Sequence, residues 1–486
     1  MNIKQSNSGK KELSLEDFLE APRVLQCLKE LEDFQQKTPL IVSDVLDKDG
    51  HQYVNLVQKG GGVLGVALVG YTYVLEKMGI RFLRLAGTSA GAINTAMMTV
   101  IDRKEDAKSE KILKIICDLK FFNLVDGHPA ARWLIKMFIT NKDFTKKIKT
   151  WIFTFIGILA FLLVSNVALI GLEHAFPKLH YITVFSFVLT GFYLVLSGAV
   201  VFYIISLLKR LKNSGFGINP GDYFYDWLKK NMKDYGVETV TDLRNKAAQP
   251  VPGIRMREPR MDDVKSLAGD VTFIASELVT QNKIQFPEMC DLFRPESDVD
   301  SLQPAGFVRA SMSIPVFFES YFINNIPCDN DEIKNAWITR FEMRNPPPST
   351  RFVDGGMLSN FPINIFFNPK ITIPRLPSFG IDLDDAAPEN KSQDALDWSL
   401  TGYLGRMFNT IRHYYDKDFL LKNEIFEKGI GKIPLAEFNW LNFFMKDKDK
   451  IEMFVRGAEA AKEFLVHFDW DGYKANRKSY ADKKKI

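Results

Sequence analysis

Short apolar runs and longer amphipathic stretches follow one another along the first hundred residues. Two runs that end close to glycines, at residues 54–57 and 82–85, predict buried strands. A stretch compatible with a helix follows each run, the first ending near Gly79 and the second covering residues 92–100. Strands that alternate with helices at this spacing are typical of an α/β architecture with a mostly parallel central sheet.

The same alternation returns in the second half of the chain. Residues 223–232 have the pattern of an amphipathic helix. Apolar runs at residues 271–275, 351–353 and 379–383 predict further strands. From about Asp397 onward the pattern is mainly helical.

Two long uncharged runs interrupt the alternation. Residues 151–172 and 181–208 contain no charged residue. At about 1.5 Å per residue, a helix over either run covers the roughly 30 Å of bilayer hydrocarbon. Since only residues 173–180 connect them, we expect a two-helix transmembrane hairpin; the alternative is a pair of buried helices in a large soluble core.

Basic residues surround this hairpin unequally. Eight lie on its two flanks and one lies in the short connection: Lys136, Lys142, Lys146, Lys147, Lys149, Lys209, Arg210 and Lys212 against Lys178. Because basic residues accumulate on the cytoplasmic side of a membrane, we expect a membrane protein with two spans whose N- and C-terminal parts are both cytoplasmic.

The patterns divide the chain into three parts. Residues 1–52 form an N-terminal helical extension, and residues 53–370 form an α/β domain that the hairpin at 151–208 interrupts. Residues 371–486 form a mainly helical part that packs on this domain.

Composition then excludes several classes of protein. A chain with 46% hydrophobic and 25% charged residues is not disordered as a whole. The net charge of +4 is spread along the chain, so we expect no nucleic-acid partner. The cysteines stand far apart, at a spacing that indicates neither a disulfide framework nor a zinc site: Cys27, Cys117, Cys290 and Cys328.

A glycine loop of the form G-x-G-x-x-G, from Gly60 to Gly65, joins the first strand to its helix. A dinucleotide site would need an acidic residue about 20 positions further on, and residues 79–86 contain none. Glycines here instead allow backbone N–H groups to approach a ligand at the positive end of a helix. That arrangement suits a developing oxyanion.

A second motif, G-x-S-x-G, covers residues 87–91 and lies between the second strand and its helix. Its glycines, Gly87 and Gly91, allow the sharp turn that exposes a nucleophilic hydroxyl. Ser89 is therefore a candidate nucleophile. The match is short enough to arise by chance, and only its position between strand and helix supports it.

A serine nucleophile needs a base. No histidine lies in a suitable setting: His51, His128, His174, His180, His413 and His467. The remaining candidate is Asp354, which follows a short apolar strand and precedes Gly355 and Gly356. The alternative is that Asp-Gly-Gly forms a simple turn.

In this order the three motifs resemble the patatin-like phospholipase family. Supporting matches lie at residues 310–318 and 354–362, with a weaker one at 438–464, so that the resemblance covers about residues 53–370 outside the hairpin. It implies a three-layer α/β/α fold and a Ser89–Asp354 dyad without histidine, with no metal or cofactor. It also implies an oxyanion hole of backbone N–H groups at Gly60, Gly61 and Gly62, the last two above all.

The sequence departs from the family at two positions. Many bacterial members carry Arg or Lys where this chain has Leu64, and an acidic residue is common where it has Lys59. The hairpin is also absent from the minimal family fold, so that its role is not inherited.

We therefore expect a membrane-anchored serine lipid acyl hydrolase of the phospholipase A or lipase type, acting through an acyl-enzyme intermediate. Membrane lipids are its expected substrates, and residues 151–208 are expected to lie in the bilayer. The alternatives are a catalytically weak membrane scaffold or signalling effector, and a lipid transacylase. Trp440, Phe443 and Phe444 either belong to the core or line the path of the acyl chain or contact the membrane.

Overall fold

The computed structural model of the chain describes most of its residues. They are residues 13–140, 144–213, 215–257, 267–384 and 416–484, with the single positions 407, 410 and 414. Lys142, His413 and the predicted start of the C-terminal helical pattern at Asp397 lie outside them. The chain divides into two compact units. The first is Met1–Val125, Gly221–Pro315 and Ser320–Ile486, and the second is Asp126–Pro220 and Val316–Glu319.

One mixed sheet organises the first unit. Within the described residues it contains ten strands: β1 (Val45–Leu46), β2 (Gln52–Gln58), β3 (Ile80–Thr88), β4 (Arg255–Met256), β5 (Asp270–Glu277), β6 (Asn282–Phe286), β7 (Tyr321–Ile323), β8 (Thr350–Asp354), β9 (Ser378–Asp384) and β10 (Ile430–Pro434). Their main order is β10-β9-β2-β3-β5-β8-β7, while β1 pairs with β2 and β4, and β6 pairs with β5.

The central strands of this sheet are parallel. β10, β9, β2, β3 and β5 pair in parallel, whereas β8 pairs antiparallel with both β5 and β7. Every residue of β2 is buried, as expected of a parallel strand covered on both faces. The predicted α/β fold with a mostly parallel central sheet is confirmed.

Helices flank the sheet of the first unit. They are α1 (Glu16–Leu19), α2 (Pro22–Lys37), α3 (Gly65–Lys77), α4 (Ala90–Val100), α5 (Ser109–Asp118), α9 (Asp222–Asp234), α10 (Val240–Ala248), α11 (Pro304–Ser311), α12 (Asp331–Phe341), α13 (Asp447–His467) and α14 (Trp470–Lys484). Helices α3 and α13 cross closely, because a Cβ on Gly457 of α13 would overlap the carbonyl oxygen of Ala67 in α3.

The five strands predicted from apolar runs all lie inside observed strands, namely β2, β3, β5, β8 and β9. The structure differs from the predicted division into parts in one respect. The sheet continues past residue 370, because β9 pairs with β2 in the middle of the sheet and β10 pairs with β9. The C-terminal part therefore contributes strands as well as helices to the first unit.

The second unit is mainly helical. It contains α6 (Pro129–Thr140), α7 (Phe144–Ala175) and α8 (His180–Asn213), and a 3₁₀ turn at Pro177–Leu179 joins the last two. The segments Lys149–Ala175 and Pro177–Leu207 are long and apolar enough to cross a membrane. Only 6% of the most apolar window of each segment is buried, so these side chains are not enclosed in a core.

Polar side chains join the two long helices of the hairpin. The Asn166 amide nitrogen donates to Thr190 Oγ1 at 2.8 Å, and Ser186 Oγ donates to Asn166 Oδ1 at 2.5 Å. The Tyr193 hydroxyl donates to the carbonyl oxygen of Phe155 at 2.8 Å. Such bonds satisfy polar groups within an apolar hairpin and fix the pairing of its helices.

Candidate active site

Ser89 occupies a sharp turn between a strand and a helix. It follows Thr88, the last residue of β3, and immediately precedes α4. Its backbone angles, φ 52° and ψ −120°, are strained for a residue with a side chain. A side chain on Gly91 would overlap the carbonyl oxygen of Gln58, so the turn needs its flanking glycine. This is the geometry of a nucleophile elbow, in which a strained turn exposes the hydroxyl.

Ser89 is held at both its backbone and its side chain. Its N–H donates to the hydroxyl oxygen of Ser311 at 2.9 Å. Its hydroxyl donates to Asp354 Oδ2 at 2.6 Å. Ser89 is 5% exposed and Asp354 is 8% exposed, so this hydrogen bond is largely shielded from solvent.

The register of the sheet explains why these two residues meet. Thr88 pairs with Ile274 of β5, and the next residue of β5, Ala275, pairs with Asp354 at the end of β8. Ser89 and Asp354 therefore lie at the same level of the sheet, on either side of β5.

The carboxylate of Asp354 is oriented by its own turn. Its Oδ1 accepts the N–H of Gly356 at 2.7 Å, while its backbone N–H donates to the carbonyl oxygen of Ser313 at 2.8 Å. A Cβ on Gly355 would overlap the carbonyl oxygen of Ile274, which explains the first glycine after the aspartate. Oδ2 is thereby directed toward Ser89.

The three predicted oxyanion donors differ in their present partners. The Gly60 N–H donates to the carbonyl oxygen of Asn360 at 3.0 Å, so this donor is already paired inside the protein. Among the described residues, the N–H groups of Gly61 and Gly62 have no hydrogen-bond partner. Gly62 has a φ of +56°. The carbonyl oxygen of Trp440 lies beside it and accepts the N–H of Val63 at 3.0 Å.

Two cavities adjoin Ser89. The larger has a volume of about 80 Å³ and extends between α3, α4 and α5, with Gly65 of the glycine loop in its wall. Its lining is apolar apart from Ser89, Asn94 and the indole of Trp227. A narrow apolar space that begins at a serine hydroxyl is suited to a hydrocarbon chain.

The smaller cavity has a volume of about 10 Å³. Eight residues line it: Gly62, Ser89, Ile314, Asp354, Gly356, Met357, Asn360 and Trp440. No histidine lines either cavity within the described part of the chain. Members of all three sequence motifs thus meet at one point.

The three aromatic residues near the C-terminus occupy different positions. Phe443 is 5% exposed and lines the larger cavity, and Trp440 lines the smaller one. Phe444 packs edge-on against Phe122, with ring centroids 5.4 Å apart. The first two therefore border the site, and the third stabilises the packing beside it.

Charged groups that the motifs did not indicate lie beside the glycine loop. The amino group of Lys59, a buried residue, donates to Asp382 Oδ1 at 2.6 Å and to the carbonyl oxygen of Leu383 at 3.0 Å. Burial raises the pKa of the nearby Asp416 carboxyl to about 7, and the positive charge of Lys59 opposes this shift. Lys59, the basic residue that departs from the family pattern, is thus paired with the carboxylate of Asp382 in β9.

Sequence reasoning also assigned no role to Ser311 and Asn360. Ser311 holds the backbone of Ser89, and the Asn360 side-chain amide donates to the carbonyl oxygen of Gly60 at 3.1 Å. Both residues fall within the stretches 310–318 and 354–362, which resemble the patatin-like family. That resemblance was the one feature of the sequence that pointed to them. Their partners are more than 200 residues away in sequence, so only the fold reveals these contacts.

One group of potential metal ligands lies away from the site. Ligand atoms of Asp47, Asp49 and His51 lie within 4.8 Å of one another in the turn before β2. Asp47 Oδ2 is 2.8 Å from His51 Nδ1, and His51 Nε2 is 3.3 Å from the guanidinium of Arg81. A cation would compete with these bonds and with the arginine charge, so we assign no metal to this turn.

Known proteins that are similar to this chain include a bacterial sequence relative and a solved structure. An uncharacterised protein of Bacillus subtilis (strain 168), YqhO, is 22% identical over 421 residues, which cover 86% of this chain and 100% of that protein. The crystal structure of VipD from Legionella pneumophila is similar over 90% of this chain and 73% of that chain, with 12% identity and a TM-score of 0.36. That structural likeness is too weak to bear on the fold.

A family model gives the clearest match. The model described as patatin-like phospholipase matches residues 56–367, which is more than half of the chain and includes the glycine loop, the serine turn and the Asp-Gly-Gly motif. Enzymes with this domain are lipid acyl hydrolases. The chain belongs to the patatin-like phospholipase family.

Proposed function

We propose that Ser89 and Asp354 form the catalytic dyad of this lipid acyl hydrolase, with Ser89 as nucleophile and Asp354 as base. The observation that carries the proposal is the 2.6 Å hydrogen bond from Ser89 Oγ to Asp354 Oδ2, made from a strained turn that borders an apolar cavity. A carboxylate that already accepts the hydroxyl hydrogen can take the proton as the oxygen attacks an ester carbonyl.

In the first half of the proposed reaction, Ser89 Oγ bonds to the carbonyl carbon and its proton passes to Asp354. The negative charge that develops on the carbonyl oxygen is stabilised by the N–H groups of Gly61 and Gly62. One such donor contributes about 3 kcal/mol to transition-state stabilisation. Asp354 then protonates the departing alcohol, which leaves an acyl group on Ser89.

The larger cavity supports a lipid as substrate. It begins at Ser89, and aliphatic side chains such as Val69, Ile93 and Ile112 form most of its wall. Burial of a hydrocarbon chain there contributes about 0.8 kcal/mol for each methylene group. We therefore propose that it holds the acyl chain whose ester carbonyl faces Ser89.

We also propose that α7 and α8 anchor the protein in a membrane. The exposed side chains of their long uncharged runs are mostly apolar, and the polar groups Asn166, Ser186 and Thr190 bond to one another between the helices. A catalytic domain that is joined through the peptide chain to helices in a bilayer meets membrane lipids at a high effective concentration.

The dyad is tested by Ser89→Ala and Asp354→Asn in the full chain in membranes. We expect each substitution to reduce release of fatty acid from phospholipid by at least about a thousandfold, since a residue of the catalytic unit is removed. The matched control is Ser109→Ala, which removes a buried hydroxyl that lies outside both cavities and should leave release unchanged.

Unchanged release in either dyad variant would refute the assignment. Measurement of esterified acceptor lipids beside free fatty acid in the same reactions distinguishes hydrolysis from transfer of the acyl group to an alcohol.

A further inference from the structure

The side chain of Asn360 places a buried oxygen at the site, and this oxygen has no partner among the described residues. The residue is 1% exposed, and its side-chain nitrogen donates to the carbonyl oxygen of Gly60 at 3.1 Å. That bond determines which end of the amide faces the carbonyl. The other end, Oδ1, has no hydrogen-bond partner in the part of the chain that the structure describes. Buried polar atoms are nearly always paired with protein or water, so this oxygen is able to accept a hydrogen bond from a bound molecule.

Asn360 lies at the smaller cavity beside the dyad. Asn360, Ser89 and Asp354 all line that cavity. Oδ1 has glycines on two sides, since a Cβ on Gly60 or on Gly356 would lie too close to it. The cavity volume of about 10 Å³ is close to the space that one water molecule needs.

We propose that the smaller cavity binds the water that hydrolyses the acyl-enzyme, and that Asn360 Oδ1 orients it. This inference rests on the proposed dyad. The water donates one O–H to the Asp354 carboxylate and the other to Asn360 Oδ1. Its lone pair is then directed toward the acyl carbon on Ser89.

The proposed step is balanced without any further reactant. The water oxygen bonds to the acyl carbon while its proton passes to Asp354. When the tetrahedral intermediate collapses, the bond between the acyl carbon and Ser89 Oγ breaks. Oγ takes the proton from Asp354, so that a carboxylic acid is released and the free hydroxyl is restored.

The small volume of the cavity makes the site specific for water as the acyl acceptor. The side chains of Ile314, Met357 and Trp440 form its apolar walls, so the space accepts water and has no room for a larger alcohol. Free fatty acid is then the main product, and transfer to an alcohol acceptor is disfavoured.

The test separates the two halves of the reaction in the full chain. A rapid-quench experiment with a p-nitrophenyl ester of a medium-chain fatty acid follows formation of the acyl-enzyme, and intact mass gives its steady-state fraction. For Asn360→Ala we expect the rate of acylation to stay within about twofold of wild type. The rate of deacylation should fall about tenfold, because one hydrogen bond to the water is lost. The acylated fraction should rise accordingly.

A purely structural role for Asn360 gives another result. If its bond to Gly60 only supports the glycine loop, Asn360→Ala slows acylation and deacylation equally, because both pass through an oxyanion. That outcome overturns the inference and leaves the dyad intact. Hydrolysis that persists in Ser89→Ala refutes the dyad instead. Ser359→Ala is the matched control, since that buried hydroxyl also lacks a partner within the described residues and lies outside both cavities. Both phases should be unchanged in this variant.

A second measurement does not depend on the folding of any variant. Wild-type protein is supplied with the same ester in water containing methanol, and methyl ester is compared with free acid. We expect water to be favoured over methanol by at least about tenfold relative to their concentrations. Partition in simple proportion to concentration would overturn the one-water site.

Discussion

Two buried residues form the proposed dyad at the scale of single side chains. Ser89 adopts a positive φ that its turn imposes, and the Asp354 carboxylate is oriented by the N–H of Gly356. Motif spacing was sufficient to predict both as candidates, because a strained turn and an Asp-Gly-Gly turn each require particular residue types locally. Ser311 and Asn360 have no such local requirement, so their roles were not predicted from sequence.

Asp416 gives a prediction about pH at the same scale. Burial raises the pKa of its carboxyl from 3.8 to about 7, so the folded state retains the proton at a pH where the unfolded chain has lost it. The contribution of this group to the free energy of unfolding is fully present below pH 3.8. It decreases by roughly 1.4 kcal/mol for each pH unit as the pH rises from 3.8 to about 7. Asp416→Asn should therefore raise the midpoint of thermal unfolding more at pH 8 than at pH 5.

The control for Asp416 is Asp382→Asn, which leaves the buried Lys59 without its ion-pair partner. We expect that variant to be less stable than wild type at both pH values. A gain for Asp416→Asn that is equal at pH 5 and pH 8 would contradict the assigned titration.

At the scale of secondary structure, prediction succeeded where burial determines the pattern. The central strands β2, β3 and β5 are apolar and form the core, so their sequences alone indicate them. β1, β4, β6, β7 and β10 have two to five residues each and were not predicted; each forms through pairing with a neighbouring strand. The antiparallel orientation of β8 likewise depends on tertiary contacts, although it decides where Asp354 lies.

The crossing of α3 and α13 gives a prediction at this scale. Gly457→Ala introduces a methyl group against the backbone of α3, where the Cβ would overlap the carbonyl oxygen of Ala67. We expect it to lower the free energy of unfolding by about 1–3 kcal/mol, despite the better helix propensity of alanine. Chemical denaturation of detergent-solubilised protein measures the change.

Glu463→Ala, an exposed substitution on the same helix, is the control and should change stability by less than about 0.5 kcal/mol. A Gly457→Ala variant as stable as that control would show that the two helices can move apart at no cost.

At the scale of the whole molecule, the chain joins a polar α/β enzyme domain to two long helices whose apolar runs, 151–172 and 181–208, are uncharged. Length and hydropathy predict a membrane hairpin, because a long apolar helix satisfies its own backbone groups in lipid. The division of the chain into two units agrees with a separate hairpin, with 126–220 and 316–319 in one unit.

The proposed topology can be tested with single cysteines in a background where Cys117 and Cys328 are replaced by serine. Ala175→Cys is exposed at the turn of the hairpin, and Lys48→Cys is exposed in the catalytic unit. In intact cells, a membrane-impermeant maleimide should label Ala175→Cys from outside and should not label Lys48→Cys. Protection of both positions from outside would contradict a hairpin that crosses the membrane.

The central claim is that Ser89 carries the acyl group during lipid hydrolysis. The most direct measurement is acid quench of the full-length protein during turnover of phospholipid in membranes, followed by mass mapping of the modified peptide. The account predicts an acyl ester on Ser89 that is absent in Ser89→Ala, together with loss of fatty acid release in that variant. Undiminished release by Ser89→Ala, or an acyl ester on a different residue of the active enzyme, would contradict it.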